Sequence, residues 1–140
     1  MSSMHPFKIN TFDIDGVIYM GKHDGVYPGK SDVIITGRSI DEWDETSAML
    51  SAKGIKNEVF MNPARFENKT RKGSGIHKGN VIKMLRVQRE IEIGIHFDDD
   101  PIQIKEIERI NPDITCVLLQ HELVDKENCR HKDFFDSGGE

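Results

Sequence analysis

Four short pieces of the 140-residue chain carry residue types able to do chemistry: Asp13-Ile14-Asp15-Gly16, Thr36-Gly37-Arg38, Lys78 and Asp98-Asp99-Asp100. On a strand, side chains alternate between faces, so Asp13 and Asp15 are expected to share one side while Ile14 turns into the core. Their carboxylates could then reach a single atom, and carboxylates gathered in this way suit a hard, oxygen-seeking cation. The Thr36 hydroxyl and the Lys78 ammonium suit an anion. A lysine that opens a helix is unfavourable against the helix dipole, and a bound phosphate would relieve that. Each piece also has an ordinary explanation. Asp-x-Asp-Gly is a strand-to-turn signal, Asp100 before Pro101 is a good helix N-cap, a strand-end threonine commonly bonds backbone, and a lysine is commonly solvated. Four accidents would nevertheless have to fall in the order acid pair, hydroxyl, lysine, acid pair.

The elements that must position these residues follow from periodicity. Ile9–Ile14 reads as a strand entering the Asp-rich turn, and Val17–Lys30, broken by Gly21, Gly25, Pro28 and Gly29, as an exposed flap. Asp32–Thr36 is a second strand closed by Gly37. Ser39 with Glu42 has the form of a capping box, and Ile40, Trp43 and Leu50 continue at helical spacing up to Gly54, with Trp43 expected in the core. Ile55–Met61 reads as a third strand that takes Phe60 into the core, and Asn62–Gly75 as a polar loop. A second helix runs from His77 or Lys78 to about Arg89. Ile91, Ile93, Ile95 and Phe97 alternate as a fourth strand, Asp100-Pro101 opens a third helix that Asn111-Pro112 stops, and Ile114–Leu119 is a fifth strand. Strands alternating with helices predict an α/β fold, a Rossmann-like, mostly parallel five-stranded sheet with flanking helices. Ligands in such sheets bind at the carboxyl ends of the strands.

Length fits one domain, 1–140, with a core over about 8–120 and a polar tail over about 121–140. Lys+Arg 19 against Asp+Glu 24 gives a formal charge of −5, which argues against sequence-blind nucleic-acid binding over the whole surface. Cys116 and Cys129 make no disulfide framework or zinc motif, and no apolar run suggests a leader or a membrane span, so a cytoplasmic location is expected.

The order and spacing of the four pieces resemble the haloacid dehalogenase superfamily. Phe12-Asp13-Ile14-Asp15-Gly16 resembles its first motif, Ile34-Ile35-Thr36-Gly37-Arg38 its second, Lys78 its third, and His96-Phe97-Asp98-Asp99 its fourth. The resemblance implies a magnesium-dependent phosphatase. Asp13 is then the nucleophile that forms an aspartyl-phosphate, and Asp15 the acid that protonates the leaving oxygen and later deprotonates water. Thr36, Gly37, Arg38 and Lys78 hold the phosphate, while Asp13, Asp15 through its carbonyl, Asp98 and Asp99 form the Mg²⁺ site. No cap domain fits, since only 19 residues separate Gly16 from Thr36. A helix common in the superfamily between flap and second strand is expected to be missing.

Eight basic residues (Lys53, Lys56, Arg65, Lys69, Arg71, Lys72, Lys78, Lys83) against Glu58 and Glu67 make Lys53–Lys83 strongly basic, which suggests a polyanionic substrate. Thr36-Gly37-Arg38 and Thr70-Arg71-Lys72 look most like the 3′-phosphatase half of bacteriophage polynucleotide kinase. Nucleic-acid 3′-phosphate ends or nucleotides are the substrates this implies. The alternatives are a nucleotidase or small-metabolite phosphatase, and a receiver-like phospho-accepting domain, which would put the acid pair first. His96 reads as a packed or surface histidine, and His77 as a weak phosphate contact.

Overall fold

A computed structural model describes residues 7–121, so most of the expected C-terminal tail, and Cys129 with it, lies outside the described residues. The five strands are β1 (Phe7–Phe12), β2 (Val33–Ser39), β3 (Val59–Asn62), β4 (Ile91–Asp98) and β5 (Thr115–Leu118), and from β2 onward they alternate with the helices α1 (Trp43–Ala52), α2 (Arg71–Val87) and α3 (Pro101–Ile110). All strand pairs are parallel, in the order β3-β2-β1-β4-β5. The chain winds outward from β1 through β2 to β3, then crosses back to lay β4 against the other side of β1. The gap between the carboxyl ends of β1 and β4 is therefore the topological switch point, where sheets of this Rossmann-like kind bind ligands.

Two apolar clusters cover the two faces. Ile9, Val33 and Ile35 pack with Ile82 and Leu85 of α2 and Ile107 of α3, whereas Phe12, Ile14 and Ile34 pack with Leu50 of α1 and with Val17 and Ile18. Alternation along β1 and β2 accounts for this division, odd positions turning toward α2 and α3 and even ones toward α1. Val17, Ile18 and Met20 are buried, so the base of the expected flap is core and only the stretch beyond it is exposed. No helix intervenes between Gly16 and β2.

Strand β4 departs from simple alternation. Ile9 pairs with Ile93, but Thr11 pairs with His96, a bulge that sets one β1 residue against two of β4. Asn10 fills the gap, its Oδ1 accepting the Ile95 N–H at 3.0 Å. At Gly94 a Cβ would lie 2.7 Å from that oxygen, which explains the glycine. Ile91 and Ile93 consequently face the α2 layer while Phe97 faces the α1 layer, stacked on Phe12 at 4.7 Å. The extra residue returns His96 and Asp98 to the α2 side, a re-aiming typical of bulges near functional sites.

Helix ends follow the sequence signals in part. Ser39 and Glu42 form the expected capping box, which opens a 3₁₀ turn (Ile40–Glu42) leading into α1, and Gly54 follows α1 at φ +74°. Asp100 caps α3 with Pro101 in its first turn. Helix α2, however, begins at Arg71 inside the expected loop, capped by Thr70, whose hydroxyl accepts the Gly73 N–H at 2.9 Å. Lys78 therefore lies well inside a helix rather than at its start. Strand β2 continues through Gly37 to Ser39, and β3 starts four residues later than expected. Trp43 is 41% exposed, not core, because α1 buries only Thr46 and Leu50. Among the described residues no helix is long and apolar enough to cross a membrane.

Helices α2 and α3 approach closely at Gly75, where a Cβ would meet Gln103 Cα at 2.8 Å and its carbonyl oxygen at 2.9 Å. Backbone cannot yield as a side-chain end can. Gly75→Ala is expected to destabilise the protein by about 1–3 kcal/mol despite the better helix propensity of alanine. Gly79→Ala, which meets chiefly the movable end of Ile110 at 2.8 Å, should cost less. Urea unfolding of the two variants checks the order.

Candidate functional site

Asp13 directly follows β1 and its N–H donates to the Phe97 carbonyl at 3.0 Å, which extends the β1–β4 ladder and sets Asp13 beside Asp98. Both side chains turn toward α2. Lys78, wholly buried, reaches from the second turn of that helix to Asp13 Oδ1 at 2.9 Å and Asp98 Oδ2 at 2.8 Å. A compact ammonium on a flexible stem suits this task, bridging two carboxylates without a fixed fork. Three buried carboxylates, those of Asp13, Asp98 and Asp99, offer oxygens all within 4.8 Å of one another.

His96 and the Asp100 backbone fix Asp98. His96 Nε2 lies 2.9 Å from Asp98 Oδ2, its Nδ1 lies 2.8 Å from the Thr11 hydroxyl, and the Asp100 N–H donates to Asp98 Oδ1 at 3.1 Å. Burial lowers the His96 pKa and keeps the ring neutral. Nε2–H then donates to Asp98 and the Thr11 hydroxyl to Nδ1. Burial alone would raise the Asp98 pKa, but the Lys78 charge and the His96 bond override it and hold the carboxyl well below the usual range. Asp98 is an anion at any ordinary pH. The expectation of a packed or surface histidine is met by packing, with a role in orienting Asp98 that alternation did not reveal.

Asp99 rests on Gly16. A Cβ at Gly16 would fall 1.9 Å from Asp99 Oδ2, and Gly16 has φ +85°, so this turn admits only glycine while the carboxylate stays where it is. His121, just beyond β5, donates from Nε2 to the Gly16 carbonyl at 2.9 Å and stands 3.6 Å from Asp99 Oδ2. No sequence signal marked His121.

Asp15 does not join the three carboxylates. Strand β1 has ended at Phe12, so alternation no longer governs position 15, and the expectation that Asp13 and Asp15 share a side is corrected. Its oxygens accept Arg38 Nε at 2.8 Å and Nη2 at 2.7 Å, and Arg38 Nη1 donates to Thr46 of α1 at 3.1 Å. Burial works against the guanidinium charge, but the Asp15 carboxylate more than offsets it. Arg38, expected on a phosphate, is thus already bonded to the expected acid. Three of its five N–H donors are used, and two remain. Thr36 is buried and its hydroxyl accepts the Arg38 N–H at 3.0 Å, and the Gly37 carbonyl accepts Asn62 Nδ2 at 3.3 Å.

Much of the basic stretch serves the fold. Lys69 pairs with Glu42 at 2.9 Å, Arg71 with Asp100 at 2.7 Å and Arg65 with Asp41 at 3.4 Å, while Lys56, Lys72 and Lys83 are exposed. Cys116, on β5, is partly buried, and burial pushes its thiol up to about 12.

The donor set suits a divalent cation. Asp13, Asp98 and Asp99 gather three carboxylates about the buried Lys78, with His96 neutral beside Asp98 and His121 3.6 Å from Asp99. An all-oxygen set matches a hard divalent ion rather than a soft one. In three comparisons the chain matches no known family model, no curated protein and no solved structure.

Two outcomes follow from this electrostatic arrangement. Lys78→Met would leave two buried carboxylates without their shared counter-charge and should destabilise the protein by about 3–5 kcal/mol, measured by urea unfolding at pH 7. The second concerns His77, which sits near the Phe60 carbonyl at 3.5 Å and whose pKa burial pushes down from 6.5 to about 4. The unfolded chain binds its proton more readily, so stability is complete above pH 6.5 and is lost as pH falls toward 4. His77→Gln should flatten this loss, by up to about 3 kcal/mol at pH 4. Urea midpoints of both proteins between pH 7 and 4 test it.

Proposed function

We propose that the protein is an uncapped phosphatase of the haloacid dehalogenase type that hydrolyses phosphomonoesters through a phosphoryl group carried on Asp13. The observation that supports this most directly is the Lys78 ammonium held between Asp13 and Asp98, with Asp99 in the same cluster, at the switch point of the sheet.

An Asp13 oxygen attacks phosphorus, the ester P–O bond breaks, and the departing oxygen takes a proton from Asp15. Asp15, now a carboxylate, accepts a proton from the water that cleaves the acyl-phosphate and frees Asp13. Lys78 holds Asp13 in place and offsets charge on the phosphoryl oxygens. Mg²⁺, held by Asp13, Asp98 and Asp99, would supply the further positive charge that a phosphate dianion demands. Thr36 and the two remaining Arg38 donors are the nearest candidates to hold phosphate oxygens. The Asp15 acid two residues after the nucleophile favours hydrolysis over receiver-like signalling.

For substrate, nucleic-acid 3′-phosphate ends or nucleotides remain the proposal. The internal ion pairs of Lys69, Arg71 and Lys78 narrow its support to the exposed Lys56, Lys72 and Lys83. Phosphate release from p-nitrophenyl phosphate, 3′-phosphorylated oligonucleotides, mononucleotides and sugar phosphates, with and without Mg²⁺, separates these substrates. Asp13→Asn should fall to background, and Asp15→Asn should lose about 10²–10⁴-fold. Activity that survives in Asp13→Asn would sink the reading. An oligonucleotide rate unchanged between ~50 and ~200 mM salt would remove the basic surface from it.

A further inference from the structure

We infer that Thr46, a buried residue of α1 outside the carboxylate cluster, positions the acid Asp15 through Arg38, so that one guanidinium sets both the phosphate and the proton donor. The inference rests on the phosphatase reading. Asp15 lies beyond the end of β1, its backbone held only by an isolated bridge to Tyr19, so no strand of the sheet orients its side chain. What orients it is the Arg38 fork, through two bonds of 2.8 and 2.7 Å to the two carboxylate oxygens. The fork in turn is stopped in its plane by the Thr46 hydroxyl, which accepts Nη1 at 3.1 Å, and the Tyr19 ring lies 5.9 Å from Cζ.

Thr46 is fully buried, so its hydroxyl has no water to fall back on. Side chains of helical threonines ordinarily bond the carbonyl one turn back, and here the hydroxyl serves a residue of another element. With three N–H groups engaged, Arg38 keeps two for phosphate oxygens without releasing Asp15. When Asp15 is protonated, one of its oxygens keeps an Arg38 N–H and the other carries the proton. That proton passes to the ester oxygen as its bond to phosphorus breaks and the bonding electron pair leaves with it. A guanidinium free to pivot would still attract phosphate, but the proton would no longer lie in line with the leaving oxygen.

This separates binding from proton delivery, and leaving groups report the difference. p-Nitrophenolate departs with little help, whereas an alkoxide such as that of glycerol phosphate needs the proton. Thr46→Val, of equal shape without the acceptor, is expected to lose about tenfold or more in kcat on glycerol phosphate relative to p-nitrophenyl phosphate, with a smaller change in KM. Thr46→Ser, which keeps the hydroxyl, should restore the wild-type ratio. Melting temperatures show whether Thr46→Val is folded, and if it is not, the same ratio measured in Thr46→Ser and Thr46→Ala decides. Equal losses on both substrates, or a wild-type ratio in the variant lacking the hydroxyl, overturn the inference while leaving the phosphatase reading intact. A wild-type protein that hydrolyses neither substrate overturns both.

Discussion

Everything at the carboxyl end of this sheet depends on the burial of one ammonium between two carboxylates. Lys78 is wholly buried, as is Asp98, and Asp13 nearly so. Any one of them left alone would carry a desolvation penalty of several kcal/mol, and their mutual attraction is what makes the set tolerable. The third carboxylate, Asp99, joins the cluster from the turn after β4, with His121 Nε2 3.6 Å from its Oδ2. Stability by itself would be better served by apolar side chains of the same volume.

The ion pair in turn depends on backbone register. Asp13 and Asp98 meet because β1 and β4 are neighbours, yet without the extra residue at the bulge His96 and Asp98 would face α1, away from Lys78. Asn10 closes the interrupted ladder with its side chain, and Gly94 leaves room for it. Helix α2 supplies the other half. Starting at Arg71, it holds Lys78 on a rigid turn backed by Gly75 and Gly79 against α3, where a lysine at a frayed helix start would wander.

How far these arrangements were legible in sequence differs from element to element. Strands and helices with clean periods were readable, and so were the capping box at Ser39 and the Asp100-Pro101 start, because both are local chemistry. The start of helix α2 is hidden in the sequence, since Gly73 and Gly75 weaken any helical signal and the partner that makes glycine useful there, α3, is distant in sequence. The alternation of Ile91, Ile93, Ile95 and Phe97 suggested one continuous face, and a bulge stabilised from another strand is invisible to a period count. Trp43 lay on the correct stripe of α1, but periodicity says which stripe faces the core and not where the facing surface ends. Of the site, the residue types were legible and the partners were not. Arg38 drew attention as a phosphate ligand, whereas its strongest bonds run to Asp15.

That last difference changes how the acids divide their work. Asp13 is anchored to α2 through Lys78, and Asp15 to α1 through Arg38 and Thr46, so the two carboxylates hang from opposite layers of the same sheet. On the proposed phosphatase reading, the aspartate that attacks phosphorus and the aspartate that carries a proton need unlike surroundings, the first a fixed ammonium beside it and the second a partner that can share it with a ligand. Two aspartates two residues apart on one strand face would sit in one environment and compete for the same cation. Ending β1 at Phe12 lets the chain turn between them, and the turn is held by Gly16 under Asp99. A strand continued through position 15 would lose that separation, so the end of β1 at Phe12 is as much a part of the site as the carboxylates beyond it.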